Sequence, residues 1–444
     1  MNTTTKPRYT DLLVGILIIL LPIQGYIPHK VPLLGWHISL AYIGTLLLFT
    51  YVILKERKIP KSRLFLSLTI FTLTMLTSLP VAISKRLAIQ YIILWLLFCM
   101  AYIITLYETH SEEQILRILG ILSICISGLA IYQYLIGPER VMEMVQGWFG
   151  RYLMHPGTVQ ERLQTHEYSW VWLGNVKVFG NFININTFAA FLNLLYPIAL
   201  AQALSDQRHK TLYWSLISLL LSVSIWFTIS RGGILTMFAS TAIIIIYYRK
   251  NASRAALLCL AFIVSIILLS IISGALYPQE GQNTIIMPSI QRLLTSFSTS
   301  KNQDRLELWN LSIEITKNNP FLGVGIANYG LYAQEHYEGI YTIAPAHNNF
   351  LQILAEQGLI GLLAYLWLLF EAMRILILTL KVKPTKGLAI GLLGSLISVI
   401  LMGLINVTYL DVQYGLFFLA LLGIIDALYN EPKSIQVPIR EVIS

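Results

Sequence analysis

AHNNFLQILAEQGLIGLLAYLWLLF, residues 346–370, decides the fold. After Phe350 it runs for twenty residues with Glu356 as its only charge, long and apolar enough to cross a bilayer as a helix. His347 opens it, directly after a long polar stretch that ends in Pro345. A titratable side chain therefore stands at a membrane surface, on the positive end of a helix dipole. That dipole disfavours the imidazolium, so His347 is expected to stay neutral and able to accept a proton near pH 7.

The same pattern recurs along the chain. Hydrophobic residues make up 56% of the 444 positions and charged residues only 12%, about half the share in ordinary soluble domains. Twelve apolar runs read as spans, at 10–28, 36–54, 64–83, 87–107, 115–136, 182–204, 212–229, 232–248, 255–276, 349–373, 387–406 and 412–429. The seventh and eighth abut at Ser230-Arg231-Gly232-Gly233 and are the least separated. The reading is a single all-α integral membrane unit over 1–444. With the N-terminus inside, the inner segments carry 19 Lys and Arg, whereas the short outer loops hold only Lys30, Lys85, Arg86 and Arg231. This asymmetry puts both termini in the cytoplasm. The net charge of +9 then reflects topology and contact with anionic lipids, and is no sign of nucleic-acid binding.

Two outer segments, 137–181 and 277–346, are too long for plain connectors and are expected to be ordered and functional. VMEMVQGWFGRYLM (141–154) reads as an interfacial helix, and Asn302 or Asp304 is placed to cap a helix near 303–318. Cys99, Cys125 and Cys259 all fall in apolar runs without metal-ligand spacing, and are read as packing residues.

The outer face gathers His347, Arg231 and Arg305. Arg231, in TISRGG, sits where one span ends and the next begins; it reads either as functional or as an arginine snorkelling to the interface. Arg305 lies on the loop helix and reads equally as a cation paired with Asp304 or Glu307. His347 by itself reads also as a helix-end histidine bonded to backbone. Glu356, nine residues on, faces roughly opposite His347 at about 100° per residue, so it is expected to join Gln352 in a polar seam. Asn181, Asn184 and Asn186, in GNFININTFAAFLNLL, and Asn348 are further polar groups at span entrances, where they need hydrogen-bond partners.

No set of side chains outside the spans has metal spacing, and no cofactor motif is present. GVGIANYG (323–330) lacks the Lys-Ser/Thr pair and preceding strand of a phosphate loop. A reaction on the outer face has no ATP and needs a pre-activated substrate, such as a lipid-linked pyrophosphate sugar. Two arginines can bind a pyrophosphate by paired hydrogen bonds, and a neutral histidine can deprotonate an attacking hydroxyl.

TISRGGIL (228–235), DRLELWNLSIEITKNNPFLGVGIANY (304–329), HNNFLQILAEQGLIG (347–361) and GNFININTFAAFLNLL (180–195) resemble the O-antigen ligase family of bacterial polysaccharide ligases and polymerases. The resemblance spans roughly 180–400. It implies a GT-C-like bundle in the bacterial inner membrane and a site on the periplasmic face. It also implies inverting, metal-independent transfer of a glycan from undecaprenyl pyrophosphate to lipid A–core or another glycan acceptor. By motif, His347 matches the base, and Arg231 and Arg305 match the pyrophosphate-binding arginines. Arg151, Arg162 and Arg292 fall in no matching motif. A polymerase using the same chemistry on a growing glycan is the nearest alternative. An anion (bicarbonate) transporter is the second, but it calls for charges along a midplane pathway and paired broken helices.

Overall fold

Each of the twelve apolar runs overlaps a separate helix in a computed structural model of the chain, although 10–28 ends in a strand and 36–54 begins in one. The structure describes residues 9–31, 36–154, 171–172, 175–182, 184–205, 210–276, 300–336, 345–382 and 386–430. In chain order the helices are α1 (Tyr9–Ile23), α2 (Leu40–Glu56), α3 (Arg63–Thr77), α4 (Lys85–Glu108), α5 (Glu112–Gln146), α6 (Trp148–Leu153), α7 (Ile185–Leu204) and α8 (Thr211–Phe227). They continue with α9 (Arg231–Tyr247), α10 (Ala252–Leu276), α11 (Ser300–Asn318), α12 (Tyr329–His336), α13 (Asn349–Val382), α14 (Lys386–Gly403) and α15 (Val412–Asn430). Two antiparallel hairpins, β1–β2 (Tyr26–Val31, Trp36–Ser39) and β3–β4 (Val171–Trp172, Asn175–Val176), lie in the connections α1–α2 and α6–α7. Among the described residues, seven helices are long and apolar enough to cross a membrane, and four shorter apolar ones accompany them.

Composition explains which helices go inside. The sequence of α7, INTFAAFLNLLYPIALAQAL, mixes alanines with amides and can be surrounded on every side; its whole apolar window is buried. Its small neighbours allow close approach: Gly391 and Gly394 of α14 rest against Ile198 and Pro197. Ser395 Oγ donates across the same contact to Leu194 O at 2.6 Å. At the rim, α10 is almost purely aliphatic, and Leu257, Leu260, Ile263, Leu268 and Ile271 are exposed, as a lipid-facing surface requires. The pairs α4–α15, α3–α13 and α5–α8 complete the bundle.

Three expectations change in detail. The helix of the first outer segment is the continuation of α5, which breaks at Gly137 (φ 77°) and runs on to Gln146 before α6 begins. The second outer helix starts at Ser300, a few residues before the expected 303. Cys125 and Cys259 are exposed on the apolar exterior, so the packing assignment fits Cys99 alone, which sits beside Thr72. Arg162 and Arg292, with all of 155–170, 277–299 and 337–344, lie outside the described residues.

Candidate functional site

The turn between α8 and α9 is built from side-chain caps. Ile229 takes a left-handed φ of 54°, unusual for a β-branched residue, and turns the chain back sharply. Ser230 then caps α9, its Oγ accepting from Gly233 N at 3.3 Å and donating to Asn186 Oδ1 at 2.8 Å. Asn193 Nδ2 donates to Gly233 O at 3.1 Å, tying the same turn to α7. Arg231 is thereby fixed as the first residue of α9, at a helix N-terminus suited to anions.

Arg305 is carried by α11, whose Leu311 and Ile315 pack with Val324, Tyr329 and Ala355. Tyr329 Oη donates to Leu308 O at 2.8 Å, three residues from Arg305 in the chain, and Tyr329 N donates to Glu356 Oε1 at 3.3 Å. Glu356 also accepts from Gln352 Nε2 at 2.6 Å and Tyr409 Oη at 3.0 Å. The expected seam of Gln352 and Glu356 is therefore present, and through Tyr329 it anchors the helix that bears Arg305.

His347 stands just before the cap of α13. Gln352 Oε1 accepts from Ala346 N at 2.7 Å on one side of it. On the other, Asn348 Oδ1 accepts from Phe350 N at 2.9 Å and Leu351 N at 3.1 Å. Between these pins His347 adopts φ 51°.

A polar pocket of about 380 Å³, measured to its open mouth, is lined by Asn186, Ser230, Arg231, Gly232, Arg305, Met402, Ile405 and Asn406. Among the described residues neither Arg231 nor Arg305 has a carboxylate partner, so pairing of Arg305 with Glu307 does not occur. Burial, and then the nearby charge of Arg231, weaken the hold of Arg305 on its proton. The His347 pKa is also lowered, first by burial and then by Arg305, with Asn406 opposing. Burial and Arg305 both favour the neutral imidazole. Among the described residues, no three His, Cys, Asp or Glu side chains gather as a metal site.

The structure brings His347, Arg305, Arg231 and Asn186 to one place. Asn184 instead caps α7 by accepting from Asn186 N at 2.8 Å. Asn181 donates to Pro22 O at 2.7 Å and to Ile23 O and Leu153 O at longer range, so it ties α1 to α6 away from the pocket. Arg151 is exposed on α6. Asn406, in the connection from α14 to α15, is the pocket residue that the sequence reading missed. It is an uncharged amide that closes the run 387–406; only its place at the end of a span hinted at a role.

Residues 216–366 match the family model described as O-antigen ligase. Over this segment, about a third of the chain, the protein is similar to the O-antigen ligase family. The segment begins within α8 and ends within α13, and so contains Arg231, Arg305 and His347; Asn186 and Asn406 come from outside it. No curated protein matches the chain. The similarity supports an activity of the polysaccharide ligase or polymerase type.

Proposed function

We propose that the protein is a multi-pass enzyme of twelve crossings with both termini in the cytoplasm. On the periplasmic face of the bacterial inner membrane it moves a glycan from undecaprenyl pyrophosphate to lipid A–core. The observation that carries the reading is a pair of guanidinium groups lining one pocket, without a carboxylate partner among the described residues, beside an imidazole whose pKa is lowered. Two like charges brought together in a half-buried pocket favour an anion, and a pyrophosphate supplies one of matching geometry.

In this mechanism Arg231 and Arg305 bind the pyrophosphate, with the N-terminus of α9 behind Arg231. His347 takes the proton of the acceptor hydroxyl as its oxygen forms a bond to the anomeric carbon. The bond from that carbon to the pyrophosphate oxygen breaks on the opposite face, so the configuration inverts. The electron pair leaves with undecaprenyl pyrophosphate, whose added charge the arginines hold. The bond changes need no divalent metal, because cationic side chains take its place. Asn186 and Ser230 line the pocket as further polar contacts.

The test is transfer by purified protein, with undecaprenyl-pyrophosphate glycan as donor and lipid A–core as acceptor, in excess chelator. Product on lipid A–core is expected. Lengthening of the lipid-linked glycan instead identifies the polymerase alternative, and a strict Mg²⁺ or Mn²⁺ requirement contradicts the metal-free mechanism.

A further inference from the structure

The two asparagines that follow His347 clamp another part of the chain. Asn348 Nδ2 donates to Leu404 O at 3.1 Å. Asn349 Oδ1 accepts from Thr408 N at 2.8 Å, and its Nδ2 donates to Thr408 Oγ1 at 3.2 Å. These bonds hold both sides of a five-residue arch, 404–408, against the start of α13, and Asn406 is its middle residue. Asn406 is 4% exposed, and its own N–H is used by Met402 O at 2.9 Å. Its side chain lines the pocket of the two arginines and acts on the His347 ring. Asn406 Nδ2 and His347 Nδ1 are both buried without a partner among the described residues. An amide this well anchored with its donor unused is built for a group that the protein does not supply.

We propose that Asn406 is a positioning residue for His347: its carboxamide oxygen holds one imidazole nitrogen as N–H, leaving the other bare to take the acceptor's proton. This rests on the assignment of His347 as the base. A neutral imidazole has one donor and one acceptor nitrogen, and a fixed partner on the donor decides which is which. The unused Nδ2 of Asn406 then faces the bound anion as a further donor. The groups that act on the ring are Arg305 from α11 and Asn406 from the arch, with Arg231 of α9 on the same pocket. Glu356, on α13 itself, is engaged by Gln352, Tyr329 and Tyr409, and among the described residues no carboxylate acts on the imidazole.

The experiment is the pH profile of transfer by full-length Asn406→Ala, Asn406→Asp and Asn406→Ser proteins, with His347→Ala alongside. Asn406→Ala is expected to lower kcat about 10- to 100-fold, as loss of an orienting partner does, with donor KM within about threefold. Asn406→Ser keeps an oxygen acceptor and is expected to recover part of that loss. Asn406→Asp, close in shape and able to fold where Ala fails, puts a negative charge beside the ring. It should move the acid limb of the profile upward by about one pH unit or more. An unchanged acid limb in the Asp variant, or Ala and Ser variants with wild-type kcat, overturns the positioning role. If His347→Ala itself transfers at the wild-type rate, the base assignment has failed instead, and the positioning role falls with it.

Discussion

His347 at φ 51° and Ile229 at φ 54° are two left-handed residues on either side of the polar pocket. Such conformations cost about 1–3 kcal/mol each and persist only where their surroundings impose them. Here the imposing groups are Gln352 and Asn348 around the histidine, and Thr228 and Ser230 around the isoleucine. His347→Ala should lower transfer by at least about 100-fold while leaving donor binding in place, because the arginines remain. Arg305→Gln removes a positive neighbour that disfavours the imidazolium. The His347 pKa then rises, and the acid limb of the rate profile should move to higher pH, in addition to a loss of donor affinity; a pH series on the variant checks both. The histidine and both arginines were legible because charges are scarce in this chain and these three collect at one surface. Asn406 was not, since its clamps pair residues 56 and 59 positions apart, and no local pattern records such a contact.

At the scale of elements, the histidine helix is not continuous. It breaks at Gly358 (φ 67°), and the segment after α11 docks into the break. Val324 N donates to Ala355 O at 3.0 Å, Gly325 N to Glu356 O at 2.9 Å, and Leu359 N to Pro320 O at 2.8 Å. A β-carbon on Gly358 would overlap the backbone of Phe321 and Leu322, and one on Gly323 (φ 65°) the backbone of Ala355 to Gln357. Gly358→Ala and Gly323→Ala should each destabilise the protein by about 2 kcal/mol or more, through left-handed strain and backbone overlap together. A fall in detergent-solubilised Tm, and loss of transfer through displacement of α11 and Arg305, would check this. From sequence, GVGIANYG could be refused a nucleotide. Its true use, as a backbone plug for a helix break, depends on Gly358 some 30 residues later. That Glu356 turns to Gln352, Tyr329 and Tyr409 was not derivable from helical periodicity counted from His347, because His347 lies before the helix begins, at φ 51°.

For the whole molecule, the order of helices was readable because a bilayer demands about 20 apolar residues per crossing, and the chain supplies such runs one after another. The neighbour relations were not readable: that α7 lies in the centre and α10 at the rim rests on small residues meeting across distant helices. The proposed topology predicts labelling by an impermeant thiol reagent in a background without Cys99, Cys125 and Cys259. Trp148→Cys, at an exposed position on α6, should react in intact spheroplasts, and Lys58→Cys, between α2 and α3, only after permeabilisation. The reverse pattern would invert the molecule and move the pocket to the cytoplasm. The central claim is that His347 deprotonates an acceptor while Arg231 and Arg305 hold a lipid pyrophosphate. The most direct measurement is single-turnover transfer from undecaprenyl-pyrophosphate glycan to lipid A–core by wild type, His347→Ala and Arg231→Gln/Arg305→Gln, with donor binding measured on the same preparations. The account predicts that the histidine variant binds donor and fails to transfer, and that the double arginine variant fails at binding. Wild-type transfer by the histidine variant, or undiminished donor binding without the arginines, would contradict it.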